Sequence, residues 1–158
     1  MHPDKTKLIE FGRFAAINRK NHGLGKPETF DFLGMTHYCD KSWKRGRFRV
    51  GRRPAGKRVR QKLIEIREEL FRRMHWDKET LAKWLGKVIA GWLNYYAVPG
   101  TSKVLEAFCF AIKRYLLRTL RRQSQFEPTK WALVDGLVKR FWPKPSTRHP
   151  WPGQRLVV

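Results

Sequence analysis

An α+β fold, mainly helical, is predicted for this chain: a short β-leaning N-terminal segment followed by a bundle of three to four helices. Three observations predict it. Between residues 30 and 50 the side chains alternate with a period near two, the spacing of a half-buried strand. From residue 57 the apolar residues recur with a period near 3.6. The apolar runs that follow are each roughly 20 residues long with short links, which argues for antiparallel neighbours in a bundle.

Residues 5–17, "KTKLIEFGRFAAI", are mixed in character and interrupted by Gly12; strand and short helix are both compatible with them. Residues 18–29 hold two glycines, a proline and two asparagines, and read as a loop. "TFDFLGMTHY" reads as strand, with a bend, bulge or close backbone approach at Gly34. A turn around Lys44–Gly46 leads into the strand "RFRV", with Phe48 and Val50 on one side and Arg47 and Arg49 on the other. A boundary is expected within "GRRPAGK", residues 51–57. The first helix carries its apolar face on Leu63, Ile66 (with Ile64), Leu70 and Met74. The second starts after Asp77, a suitable N-cap with Glu79 behind it, and is stopped by Pro99-Gly100. Its face is Leu81, Trp84, Leu85, Val88, Ile89, Trp92 and Leu93. Ser102 is a candidate cap for the third, whose face runs from Val104 and Leu105 through Phe108, Cys109, Ile112, Tyr115 and Leu116 to Leu120. A shorter fourth helix is expected from Pro128 to about Phe141. The remainder, rich in proline, reads as an extended tail or strap.

The charge is one-sided. Lys and Arg total 35 against 13 acids, a formal net charge of +22 over 158 residues. Such a surplus repels itself in a compact chain unless a polyanion neutralises it. Nucleic acid fits that role better than an anionic membrane, since no run approaches the roughly 18–20 apolar residues that span a bilayer. Between residues 41 and 75 there are fourteen Lys or Arg against three carboxylates, and Arg outnumbers Lys. Its planar fork suits phosphate better than a point charge does. The residues expected to grip nucleic acid in this window are Lys41, Lys44, Arg45, Arg47, Arg49, Arg52, Arg53, Lys57, Arg58, Arg60, Lys62, Arg72 and Arg73. A second cluster on the third helix, Lys113, Arg114, Arg118, Arg121 and Arg122, is expected to continue the track. In "GWLNYYAVPG" helical phasing puts Trp92 in the core, with Tyr96 at the end of the same stripe. Asn94 and Tyr95 point away from it and are candidates for contact with a base or another domain.

Catalysis on nucleic acid needs metal-binding carboxylates or an acid–base pair. Asp4, Asp31, Asp40, Asp77 and Asp135 stand isolated, and the five histidines form no ligand pair at helical spacing. Cys39 and Cys109 belong to no Cys-x-x-Cys or Cys/His cluster. No catalytic residue, metal site or cofactor is therefore predicted, and a cytoplasmic, membrane-free protein is expected.

"HPDKTKLIEFGRFA", "TFDFLGMTHYCDKSWKRGRFRV", "MHWDKETLAKWLGKVIAGWLNYYAVPGT" and "LLRTLRRQSQ", in that order, resemble group II intron-encoded reverse transcriptase/maturases. The resemblance implies that residues 1–53 are the end of a polymerase palm with a basic β-hairpin. Phe32, Leu33 and Gly34 then fall in the family's primer-grip segment. It implies that residues 54–142 are the maturase-specific helical bundle (domain X, the thumb) and that residues 143–158 are a Pro-rich tail. The family's Tyr-x-Asp-Asp motif has no counterpart here, so the chain is expected to be a truncated product or a fragment without its own polymerase site. The function implied is binding of structured intron RNA in support of RNA-catalysed splicing, with no enzymatic activity from this chain alone. The alternatives are a thumb and primer-grip piece holding an RNA/DNA template–primer for a reverse-transcriptase palm on a separate chain, and an inactive remnant.

Overall fold

The computed structural model describes residues 8–42, 46–123 and 130–150. The chain divides into two compact units that meet between Ala55 and Gly56. Among the described residues no helix is long and apolar enough to cross a membrane.

The N-terminal unit holds helix α1 (Ala15–Asn21) and an antiparallel sheet of β1 (Phe30–Phe32), β2 (Met35–Lys41) and β3 (Phe48–Pro54), in that order. Of the two readings open for residues 5–17, the helix is adopted from Ala15. It runs on into the stretch expected as loop, because Asn18 and Lys20 still accept hydrogen bonds from the backbone N–H groups that close it. The bend at Gly34 is a complete reversal. Leu33 (φ 48°) and Gly34 (φ 73°) both adopt left-handed backbone, as a two-residue type I′ turn requires, and Phe32 pairs with Met35 across it. One expected strand is thereby two. β3 continues past "RFRV" through Pro54, paired with β2 from Lys41–Phe48 to Met35–Pro54. On one face Phe30 stacks on His37 at 4.9 Å, and Phe11 meets Phe30 edge-on at 5.0 Å. On the other, Gly51 lies beneath the ring of its partner Tyr38, where a Cβ would come within 2.4 Å of the ring carbons.

The C-terminal unit contains α2 (Gly56–Arg72), α3 (Lys78–Tyr96), α4 (Ser102–Gln123) and α5 (Trp131–Phe141). Its core joins Ile66 and Leu70 of α2, Leu81, Leu85, Ile89, Trp92 and Leu93 of α3, and Leu105, Phe108, Ile112, Leu116 and Leu120 of α4, with Val134 of α5. These are the apolar stripes the period of 3.6 predicts, except that Ile64 is half exposed and Met74 and Val104 stand outside the core cluster. Trp92 stacks on Phe108 with centroids 3.8 Å apart, so it belongs to the core. Cys109 packs against this core, and burial raises its thiol pKa to about 11.

Asp77 caps α3 by accepting from the Glu79 and Thr80 N–H groups at 2.9 and 3.0 Å. The helix ends at Tyr96, before Pro99 and a left-handed Gly100 (φ 93°). The expected cap at Ser102 is displaced by one residue: Ser102 is already helical, and the Thr101 carbonyl accepts from Val104 and Leu105. The Thr101 side chain is fully buried and donates inward to Val98 C=O at 2.7 Å. The expected helix start at Pro128 lies outside the described residues; α5 is described from Trp131. Gly86 of α3 lets the Phe141 backbone approach so closely that a Cβ would stand 2.3 Å from its carbonyl oxygen. Trp142 Nε1 donates to Ala82 C=O at 3.2 Å. The extended strap after it returns to the end of α3, where the Arg148 and His149 N–H groups both donate to Ala97 C=O.

Candidate nucleic-acid interface

Which cations are available to a ligand depends on which are already engaged. In the N-terminal unit Arg49 is bound to Asp40, its Nε donating to Oδ2 at 2.6 Å. Arg53 lies over the Tyr38 ring with 5.6 Å from its guanidinium carbon to the centroid. Register puts Arg49 and Arg53 on one face of β3 and Arg52 on the opposite one. Lys41 and Arg47 are exposed. Lys44 and Arg45 lie outside the described residues. Phe32 and Leu33 stand at the hairpin tip, 59% and 68% exposed.

In the C-terminal unit the same distinction sorts the candidates. Lys62 is held by Glu65 at 3.1 Å, and that hydrogen bond is the main reason the Glu65 carboxyl sits below its usual pKa. Arg72 pairs with Glu69 at 2.7 Å. Arg73 shares Glu69 and lies over both Trp76 and Trp84, 5.1 and 4.7 Å from their centroids, which makes it a packing element of the bundle. Lys113 turns to Asp135 and the Trp131 ring. Lys57, Arg58, Arg60, Arg114, Arg118 and Arg122 are exposed and have no ion-pair partner among the described residues. Arg121 is exposed as well.

The pair off the α3 stripe splits. Tyr95 is 52% exposed, its ring edge-on to Tyr96 at 4.7 Å. Asn94 is occupied from within: its side-chain oxygen accepts from Arg148, and His149 Nε2 donates to its carbonyl at 2.6 Å. Burial raises the Tyr96 pKa, with Tyr95 adding to it.

The carboxylates are dispersed over structural roles. Asp31 accepts the Thr36 hydroxyl, Asp40 holds Arg49, Asp77 caps α3 and Asp135 meets Lys113. Among the described residues no three His, Cys, Asp or Glu side chains converge as a metal site would need.

One concavity unites free cations with an aromatic surface. The C-terminal ends of α2 and α4 lie together, tied where Gln123 Nε2 donates to the carbonyls of Met74 and Trp76. Between them runs a groove of about 620 Å³. Arg67 and Phe71 line it one turn apart on α2, and Arg118 and Arg122 one turn apart on α4, with Arg72 and Tyr115 beside them. Neither Arg67 nor Phe71 is among the residues expected from the sequence to touch RNA. A signal for Phe71 exists: it lies four residues after Arg67 and off the stripe of Leu63, Ile66 and Leu70, on the side of the helix that carries charge.

The sequence model of the family described as group II intron, maturase-specific domain matches residues 57–135, half of the 158-residue chain and the stretch from α2 into α5. No curated protein and no solved structure matches the chain.

Proposed function

The chain belongs to the family of the group II intron maturase-specific domain, and from that premise we propose that its helical unit binds structured intron RNA and holds it in the fold that splices. The observation that carries this reading is the set of exposed arginines on α2 and α4 that have no ion-pair partner among the described residues, Arg58, Arg60, Arg67, Arg114, Arg118 and Arg122. Six guanidinium groups without counter-charge are costly on a chain already at +22 and become favourable against a phosphate backbone. The protein's part in splicing is then positional. It neutralises phosphates that a compact RNA brings close together, while the rigid bundle fixes where those neutralising charges stand.

Titration of the purified full chain against a folded group II intron RNA tests this. Each phosphate contact releases counterions, so affinity is expected to fall on the order of a hundredfold or more between about 50 and 200 mM salt. An affinity that stays flat over that range overturns the reading.

A second reading is favoured by the hairpin tip. Leu33 is 68% exposed and held in left-handed backbone that a leucine disfavours by on the order of 1 kcal/mol. An exposed apolar tip held in a strained turn suits contact with a template–primer end, in a complex whose polymerase palm is supplied by another chain. Co-purification with a polypeptide carrying the Asp-Asp motif, and template-dependent nucleotide incorporation by the pair, would support it. The first reading requires neither.

A further inference from the structure

The groove between α2 and α4 sets an exposed aromatic ring among several arginines. Phe71 is 62% exposed beside Leu70, which is 1% exposed. Its ring contributes little to the core and leaves apolar surface in water, a standing cost unless something covers it. The surroundings indicate what kind of group that is. Arg67, Arg118 and Arg122 line the groove with it, and among the described residues they have no ion-pair partners and Glu68 is the one carboxylate in the lining. A cover that is flat, apolar on its faces and attached to anions satisfies both the ring and the arginines.

We infer that this groove receives an unpaired nucleobase of the bound RNA, stacked on Phe71, with the flanking phosphates held by Arg67, Arg118 and Arg122. The inference rests on the RNA-binding function proposed above and adds to it a class of recognised feature, a bulged or looped-out base instead of backbone alone. Proteins read RNA mainly at such positions, because paired bases in an A-form helix present their faces to each other. A ring has nothing to stack on along an intact duplex, whereas one extruded base offers a face of matching size. The groove's volume of about 620 Å³ leaves room for a base and the sugar and phosphate that carry it. Tyr115, half-buried at the same wall, supplies a hydroxyl for a polar edge.

Two RNA hairpins with identical stems test the inference on the full chain. One carries a single bulged 2-aminopurine nucleotide, the other an abasic nucleotide at the same place. The wild-type protein is expected to bind the first about tenfold more tightly, with a change in 2-aminopurine fluorescence on binding. Phe71→Ala is expected to lose the preference and the fluorescence change while keeping the salt dependence. Phe71→Trp retains all three. The double variant Arg118→Gln, Arg122→Gln weakens both hairpins alike and lowers the salt slope by about two contacts. Equal wild-type affinity for the two hairpins overturns the inference and leaves the ring to a protein partner, with RNA binding itself intact. A preference that survives Phe71→Ala overturns it too. Binding to neither hairpin at low salt removes the RNA-binding function and the base site together.

Discussion

Gly86 and Gly91 share α3, yet substitution by alanine is expected to act on them with opposite sign. A Cβ at Gly86 would stand 2.3 Å from the Phe141 carbonyl oxygen, which is backbone and cannot swing aside. Gly86→Ala must therefore push α5 away from α3, and a loss of about 1–3 kcal/mol is expected in urea denaturation. Gly91 is exposed with nothing within 4 Å of its added Cβ. Gly91→Ala is expected to raise stability by up to about 1 kcal/mol, through helix propensity alone. Helical phasing separates the two, with Gly86 on the buried stripe and Gly91 off it, but it does not reveal the close approach, which comes from a residue more than fifty positions away. The same reason governs the candidate site. Phasing showed that Trp92 points inward and Asn94 outward, and both directions hold. It did not show that Arg148 and His149 would occupy Asn94, nor that Trp84 would help take Arg73 out of solution. Helical period gives a side chain its direction; its partner is decided by how the elements pack.

The start and the end of α3 are legible in single residue types, unlike the start of α4, where the cap falls one residue before Ser102. Asp77 marks the start of α3. The Thr80 side chain, then the Thr80 and Glu79 N–H groups, hold its carboxyl below the usual aspartate pKa. Because the folded-state pKa is the lower one, the cap's contribution is present above about pH 4 and is lost as pH falls through the depressed value. Asp77→Ala is expected to lower the melting temperature at pH 7 and to leave it nearly unchanged from wild type at the acid end. Asp77→Asn, a cap without the charge, keeps most of the pH 7 stability. Thermal melts of the three proteins at a series of pH values check the ordering; a wild-type advantage over Asp77→Ala that persists unchanged into acid would contradict it. Where two residues must cooperate, the sequence was less readable. The Leu33-Gly34 turn needs positive φ at both positions, and leucine advertises no such preference, so the reversal looked like a bend.

On the scale of the whole chain, charge is the dominant fact, and it was fully legible. Two effects of salt follow from it, in opposite directions. A net +22 destabilises the compact state by self-repulsion, which added salt screens. The melting temperature of the free protein is therefore expected to rise between about 50 and 300 mM salt, while affinity for RNA falls over the same range. Scanning calorimetry and binding titrations in matched buffers test the pair; a melting temperature that falls with salt would mean that the surface ion pairs outweigh the repulsion. Unlike the charge, the return of the chain after Trp142 has no sequence signature beyond its prolines. Its hydrogen bonds to Asn94 and Ala97 come from exposed Arg148 and half-buried His149, and Ala97 beneath them belongs to the buried core. The end of α3 is thus closed by its own chain: the Asn94 amide oxygen and the Ala97 carbonyl are already satisfied from within, and the exposed Tyr95 ring is what this end of the helix presents outward.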